Sequence, residues 1–284
     1  MEVAVYFEIC KIFVFGEYNL MIELKHFITK IILFFKHAFG LFNIPCQNIK
    51  NISGLKDKSL SSKLLIQEIM YANYFHDSIK DSAWLKKQNF TATKGAANYS
   101  LLFTLFSILD NTNIDNILEM GLGQSTKITT QYVNNKNNFA KLTIVEHDKK
   151  WIDVFSHKLD LCNNIKFLNP QLVNIDLHGV KVTKYKNLTN ELGIEKYDMI
   201  IIDGPIGGHQ KYPRTNVLEL IPQNLAKDFI IVLDDYDRQG EQNTAQLLFE
   251  ALDKSLTNYK ISTQFGSKKQ LIITSTGYEF LHWL

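Results

Sequence analysis

The sequence predicts a doubly wound α/β domain with a mostly parallel sheet, preceded by an N-terminal helical extension. Three observations predict it. From Asn116 onward, short runs rich in Ile, Leu and Val alternate with longer segments of mixed polarity. Strands that are apolar without alternation are buried on both faces, as parallel strands covered by helices are. The first such run, 116–120, leads directly into Gly121-Leu122-Gly123, a strand-to-helix turn. The last two β-rich runs flank Gly266-Ser267-Lys268, which reads as a hairpin turn.

The first 42 residues are rich in Phe and Ile. Between Met21 and Phe42, Leu24, Phe27, Ile28, Ile31, Phe35, Ala38, Phe39 and Phe42 recur at helical steps, with Lys30 and His37 opposite. Such a helix fits two placements: packed on the domain or a second subunit, or resting as a basic amphipathic helix on a membrane surface. Met21 is also an alternative start. Residues 43–59, with Pro45 and Gly54, read as a linker, which sets an extension at 1–59 apart from a domain at 60–284. Helical stretches are expected at about 60–76 and 95–110. Strands follow at 116–120, 142–146, 165–168, 198–203 and 229–234, with crossover helices between them, and the hairpin pairs 258–265 with 269–275.

Composition narrows the function. The 31 basic and 29 acidic residues nearly cancel, which argues against a nucleic-acid partner. Three scattered cysteines, Cys10, Cys46 and Cys162, give neither a metal spacing nor a disulfide framework, so a cytoplasmic setting is expected, with the inner membrane face as an alternative through residues 21–42. No uncharged apolar run is long enough to span a bilayer, and the N-terminus lacks the pattern of a secretory signal.

Two glycines after a strand let the backbone turn tightly and approach a ligand. Ser125 or Thr126 stands where it caps the following helix. Glu146, closing the second strand, is placed to accept hydrogen bonds from a ribose diol. The third glycine of a dinucleotide motif is absent, and Glu119 precedes the first glycine; a carboxylate there repels phosphate and suits a cationic amino-acid ligand. The segment Glu119-Met120-Gly121-Leu122-Gly123-Gln124-Ser125, with Glu146 downstream, resembles the class I S-adenosylmethionine-dependent methyltransferases over about residues 95–276. The resemblance implies a Rossmann-like seven-stranded sheet with an antiparallel last strand. It also implies S-adenosylmethionine as cofactor, with Glu119, Gly121 and Gly123 at its methionine portion and Glu146 at its ribose. Ser125 stands where the fuller motif has a third glycine, and Asp203 shares the cofactor's rim.

Asp203 ends the fourth strand and Asp234-Asp235 the fifth, so these acids belong to one edge of the sheet. Converging carboxylates need positive charge between them, and Mg²⁺ or Mn²⁺ is the expected ion, with Asp203, Asp234 and Asp235 as ligands that also hold and activate an acceptor hydroxyl. His209, in the following loop, is a candidate general base or a surface residue. The run from Asp203-Gly204-Pro205 through Arg214 to Asp234-Asp235-Tyr236-Asp237-Arg238 resembles methyltransferases of bacterial surface-polysaccharide synthesis and metal-dependent sugar O-methyltransferases. It implies an O-methyltransferase whose acceptor is a sugar hydroxyl, on a nucleotide-activated sugar or glycan precursor. Arg214, Tyr236 and Arg238 are the acceptor-binding candidates, with Lys211, Tyr212 and Asp237 nearby; Arg238 with Glu241 also reads as a helix-start ion pair. Upstream, Trp84, Lys94 and Tyr99 are candidates to cover the cofactor. A homo-oligomer is compatible with the sequence. Two other readings stay open: an NAD-dependent sugar dehydrogenase or epimerase, and a non-enzymatic peripheral membrane protein.

Overall fold

The computed structural model describes residues 46–283 except 93–95 and 137–138. The chain divides into two compact units, Met1–Lys58 and Ser59–Leu284, and the site lies within the second. The amphipathic stretch 21–42 lies outside the described residues. No helix among the described residues is long and apolar enough to cross a membrane.

Helix α1 runs from Cys46 to Ile79 and α2 from Tyr99 to Asn111. The expected linker is therefore helical from Cys46. Gly54 costs an interior turn only about 1 kcal/mol. Asn98 caps α2 by accepting from the Leu101 amide.

Seven strands form the main sheet: β1 (Asn116–Met120), β2 (Lys141–Val145), β3 (Ile165–Leu168), β6 (Tyr197–Ile202), β7 (Leu225–Leu233), β8 (Tyr259–Phe265) and β9 (Lys269–Ser275), in the order β3-β2-β1-β6-β7-β9-β8. The first five run parallel, and β9 enters antiparallel between β7 and β8. This is the expected Rossmann-like sheet with its antiparallel last strand. Alternate residues feed two cores. Ile117, Met199, Ile201, Ile230 and Val232 face one, with α2. Leu118, Met120, Ile200, Ile202, Ile231 and Leu233 face the other, with α7 (Gln239–Lys254).

Between β3 and β6 the chain departs from the expected pattern. In place of a crossover helix, Leu172–Leu177 and Val180–Tyr185 form a separate antiparallel hairpin, β4–β5, followed only by the short helix Leu188–Leu192. The turn explains it: His178 and Gly179 both take left-handed backbone (φ 53° and 73°), as a two-residue hairpin turn requires, and the Gly179 amide donates to Asp176.

Candidate functional site

The strand order reverses between β1 and β6, and a crevice opens there at the carboxyl ends of the parallel strands. Gly121 takes a positive φ of 106°, and an added Cβ would lie 3.0 Å from the Asp203 carbonyl carbon. Across from it, a Cβ on Gly204 would lie 2.9 Å from the Gly121 nitrogen and 2.5 Å from Tyr185 Oη. These two glycines let the β1 and β6 ends touch, and the ladder continues past them: Gly121 N donates to Val145 O at 2.9 Å and Asp203 N to Met120 O at 2.8 Å. Above this floor lies a cleft of about 490 Å³.

One end of the cleft is built by β1 and β2. Glu146 is buried on its wall; Oε1 accepts from the Asp148 amide at 2.8 Å and Oε2 from the Leu122 amide at 3.3 Å. His147 Nδ1 is 2.9 Å from Oε1 without hydrogen-bond geometry. Helix α4 (Lys149–Ser156) starts beside it, capped by Asp148, which accepts from the Lys150 and Trp151 amides. The Trp151 ring lines the cleft and its Nε1 donates to Leu122 O at 2.7 Å. A fixed carboxylate beside an indole face suits a ligand with a hydroxyl pair and a flat ring.

The other end is built by β6, β7 and the loop between them. Asp203, Asp235, Arg214, Arg238 and Lys268 line it, with Pro205, Ile206 and Gly207. Arg214, 3% exposed, is central: it donates to Asp234 O at 2.7 Å, to Asp235 Oδ2 at 2.6 Å and to Asp203 Oδ1 at 3.1 Å. Arg238 lies 2.9 Å from Asp235 and 3.7 Å from Glu241, and Lys268 lies 3.2 Å from both Asp234 and Asp235. Burial and the neighbouring Asp234 push the Asp203 carboxyl up to about 7, against the pull of Arg214.

Several expected roles change. Glu119 is on no cleft wall: it is 0% exposed, accepting from Ser125 and Thr126 at Oε1 (2.6 and 3.0 Å) and from Thr129 at Oε2 (2.6 Å). It braces the start of helix α3 (Thr126–Asn135), and burial pushes its pKa up to about 7. Ser125 caps nothing, because its hydroxyl donates to Glu119; Thr126 Oγ1 instead accepts from the Gly123 amide at 3.0 Å. Gly123 makes no close approach, with nothing within 4 Å of an added Cβ. His209 is exposed and lies off the cleft wall. Gly207 is closely packed: a Cβ there would meet Glu241 Oε1 at 2.6 Å. Arg214, expected at the acceptor, spends its charge on the carboxylates of Asp203 and Asp235. Tyr236 is off the wall beneath Lys269, Asp237 accepts from the Lys269 amide, and Lys211 lies exposed over Tyr212. Trp84 is turned to Asp110 and Phe106, Tyr99 begins α2, and Lys94 lies outside the described residues.

The three aspartates expected to hold a metal do converge, with one oxygen of each within 4.8 Å of the others. They do not fit a divalent ion as they stand. Asp234 gives one oxygen to Gln270 Nε2 (2.8 Å) and the other to Lys268, and Asp235 meets Arg214, Arg238 and Lys268. The positive charge that converging acids require is supplied by the chain. Trp151, Tyr185 and Lys268 were missed from the sequence; only Asp148, an acid at a helix start, carried a readable signal.

No family model matches the chain, and no curated protein matches it in sequence. Its fold is similar to that of a precorrin-6y C5,15-methyltransferase from Geobacter metallireducens, 14% identical, with a TM-score of 0.43 over 65% of this chain and 92% of that one. A Podospora anserina methyltransferase in its S-adenosylhomocysteine-bound form is 14% identical, with a TM-score of 0.41 over 83% and 97%. The N-methyltransferase NodS of Bradyrhizobium japonicum is 13% identical, with a TM-score of 0.36 over 60% and 89%.

Proposed function

We propose that the chain is an S-adenosylmethionine-dependent O-methyltransferase whose acceptor is a sugar hydroxyl, on a nucleotide-activated sugar or glycan precursor. The observation that carries the cofactor is the Glu146 carboxylate, held by the Leu122 and Asp148 amides beside Trp151 and directly over the Gly121 turn. That arrangement suits an adenosine ribose and ring. A dinucleotide is less suited. The amides of Thr126, Lys127 and Ile128, where a pyrophosphate would rest, are used within the turn. The acceptor class rests on the Asp203-Gly204-Pro205 and Asp234-Asp235-Tyr236 resemblance, and the charged lining of that end suits a polyol better than an apolar ring.

S-adenosylmethionine, when bound, supplies an electrophilic methyl on a sulfonium; the acceptor oxygen takes it, and the carbon–sulfur electron pair stays on sulfur. The chain's part is placement, exclusion of water and removal of one proton. Asp203 faces the cleft with its side chain 25% exposed, and with a pKa near 7 it suits a general base that receives the hydroxyl proton. Arg238, 43% exposed and on the wall, supports acceptor binding. Thermal melts with S-adenosylhomocysteine and with NAD test the cofactor: a rise with the first and none with the second is expected, and the reverse refutes the reading. A screen of nucleotide sugars with methyl-labelled cofactor tests the acceptor.

A further inference from the structure

Part of the counter-charge of the acid cluster arrives from the turn of the terminal hairpin. Lys268 lies 18% exposed on the cleft wall, with Nζ 3.2 Å from Asp234 Oδ2, Asp235 Oδ1 and the Ala96 carbonyl. Its position is fixed from both sides. Before it, Ser267 donates its amide (2.8 Å) and hydroxyl (3.0 Å) to Glu68 of α1, which also accepts from the Tyr99 amide at 2.6 Å. After it, buried Gln270 donates to Asp234 at 2.8 Å and to Asn98 at 3.0 Å, and accepts from Ser100 at 2.7 Å. A side chain at Gly266 would collide with Glu68 and Ser100, so the turn is pressed onto α1 and α2. Asp234, absent from the cleft wall, serves this lysine: one oxygen orients the ammonium and the other is locked by Gln270.

We propose that Lys268, with Arg214 behind it, takes the place of a divalent cation at this acid cluster, and that its ammonium meets the acceptor oxygen as negative charge develops there. A metal bound by Asp203, Asp234 and Asp235 would abut an ammonium and a guanidinium already paired to the same oxygens. A fixed cation at the developing alkoxide does the electrostatic part of a metal's task without a dissociable ion. The acceptor half of the proposal rests on the methyl-transfer reading; the charge half does not.

The two halves are tested separately. Mn²⁺ alone is titrated calorimetrically into the full-length protein after treatment with EDTA, and into Asp235→Asn. No saturable heat is expected from either; one-to-one binding in the wild type that Asp235→Asn abolishes overturns the charge half, whatever the cofactor. For the acceptor half, Lys268→Met and Lys268→Arg are compared by melting, S-adenosylhomocysteine affinity and turnover. Lys268→Met should keep cofactor affinity and lose about 100-fold in kcat, the size of one transition-state donor, with partial recovery in Lys268→Arg. Unchanged kcat in Lys268→Met, or wild-type turnover lost on chelation and restored by Mn²⁺, overturns it. Failure of the wild type to bind S-adenosylhomocysteine refutes the methyl-transfer reading and leaves the Mn²⁺ result standing.

Discussion

Replacing Glu119 by Gln separates a brace from a ligand. The carboxylate is wholly buried, with hydroxyls of Ser125, Thr126 and Thr129 as its side-chain partners, and burial raises its pKa from 4.5 to about 7. The folded protein therefore keeps the proton across a range in which the unfolded chain has released it. Stability linked to this group is complete below pH about 4.5 and is lost as pH rises through about 7. A shift of about 2.5 units corresponds to about 3 kcal/mol at 1.36 kcal/mol per unit. Gln cannot ionise, so the stability difference between wild type and Glu119→Gln should move by about that amount in favour of the variant between pH 4.5 and 8. Urea unfolding of both proteins at several pH values measures it, and contributions from Asp203 and other groups cancel in the difference. A second reading distinguishes the roles. If Glu119 paired with a cofactor ammonium, its loss would weaken S-adenosylhomocysteine binding about 10- to 150-fold, the value of a hydrogen bond to a charged group. A brace predicts little change. A pH-independent stability difference together with a large loss of affinity would refute the reasoning.

Arg214→Met should destabilise the fold by about 3–5 kcal/mol, because it strands Asp203 and Asp235 in a buried site; chemical unfolding reads this directly. Gly121→Ala and Gly204→Ala each force Cβ against backbone across the β1–β6 junction, and a cost of about 1–3 kcal/mol with loss of cofactor binding is expected from unfolding and calorimetry. Turnover should rise about tenfold per pH unit up to about 7 and then level, as Asp203 loses its proton, and Asp203→Asn should flatten that profile at a low rate. Trp151 fluorescence should change when S-adenosylhomocysteine binds, and Trp151→Ala should lower affinity by about 1–3 kcal/mol, as loss of a stacking ring does.

The sheet was legible because burial on both faces leaves an unmistakable texture: Asp198-Met199-Ile200-Ile201-Ile202 has no polar side to hide a period. The glycine turn was legible because only Gly holds φ of 106° against the neighbouring strand end at that distance. The β4–β5 hairpin was not. Its strands keep no clean two-residue period, since β4 opens on two partly buried residues and β5 buries Val182 and Tyr185 three apart, and the deciding signal was the short run Asp176-Leu177-His178-Gly179, in which His178 takes a left-handed turn position more often given to Asn or Asp. Glu119 holds a motif position, yet its side chain is turned into the core. The acid stands where the resemblance puts it, but three hydroxyls one helical turn away consume it, and hydroxyls advertise no preference for a carboxylate in sequence.

Charge compensation was the least legible part because its members are far apart in the chain. Asp203, Asp234 and Asp235 could be placed on one rim by counting strand ends. Arg214 looked like a loop residue and Lys268 like a hairpin tip. The backbone shows how firmly these partners are set: Arg214 and Asp235, joined at 2.6 Å, both take left-handed conformations, φ 58° and 59°. Each is unfavourable for a residue with a Cβ, by about 1–2 kcal/mol. Two such residues facing each other persist only where the surroundings fix them. Here the Gly207 and Gly240 backbones pack against Glu241, Gln210 and Pro213 on one side, and the Glu68–Ser267–Gln270 network holds Lys268 on the other. The charged end of the cleft is thus held by the chain's own contacts, and on the proposed reading an acceptor there would meet fixed charges instead of ordering them. That is the condition under which the proposed ammonium would stabilise a developing alkoxide without first reorganising.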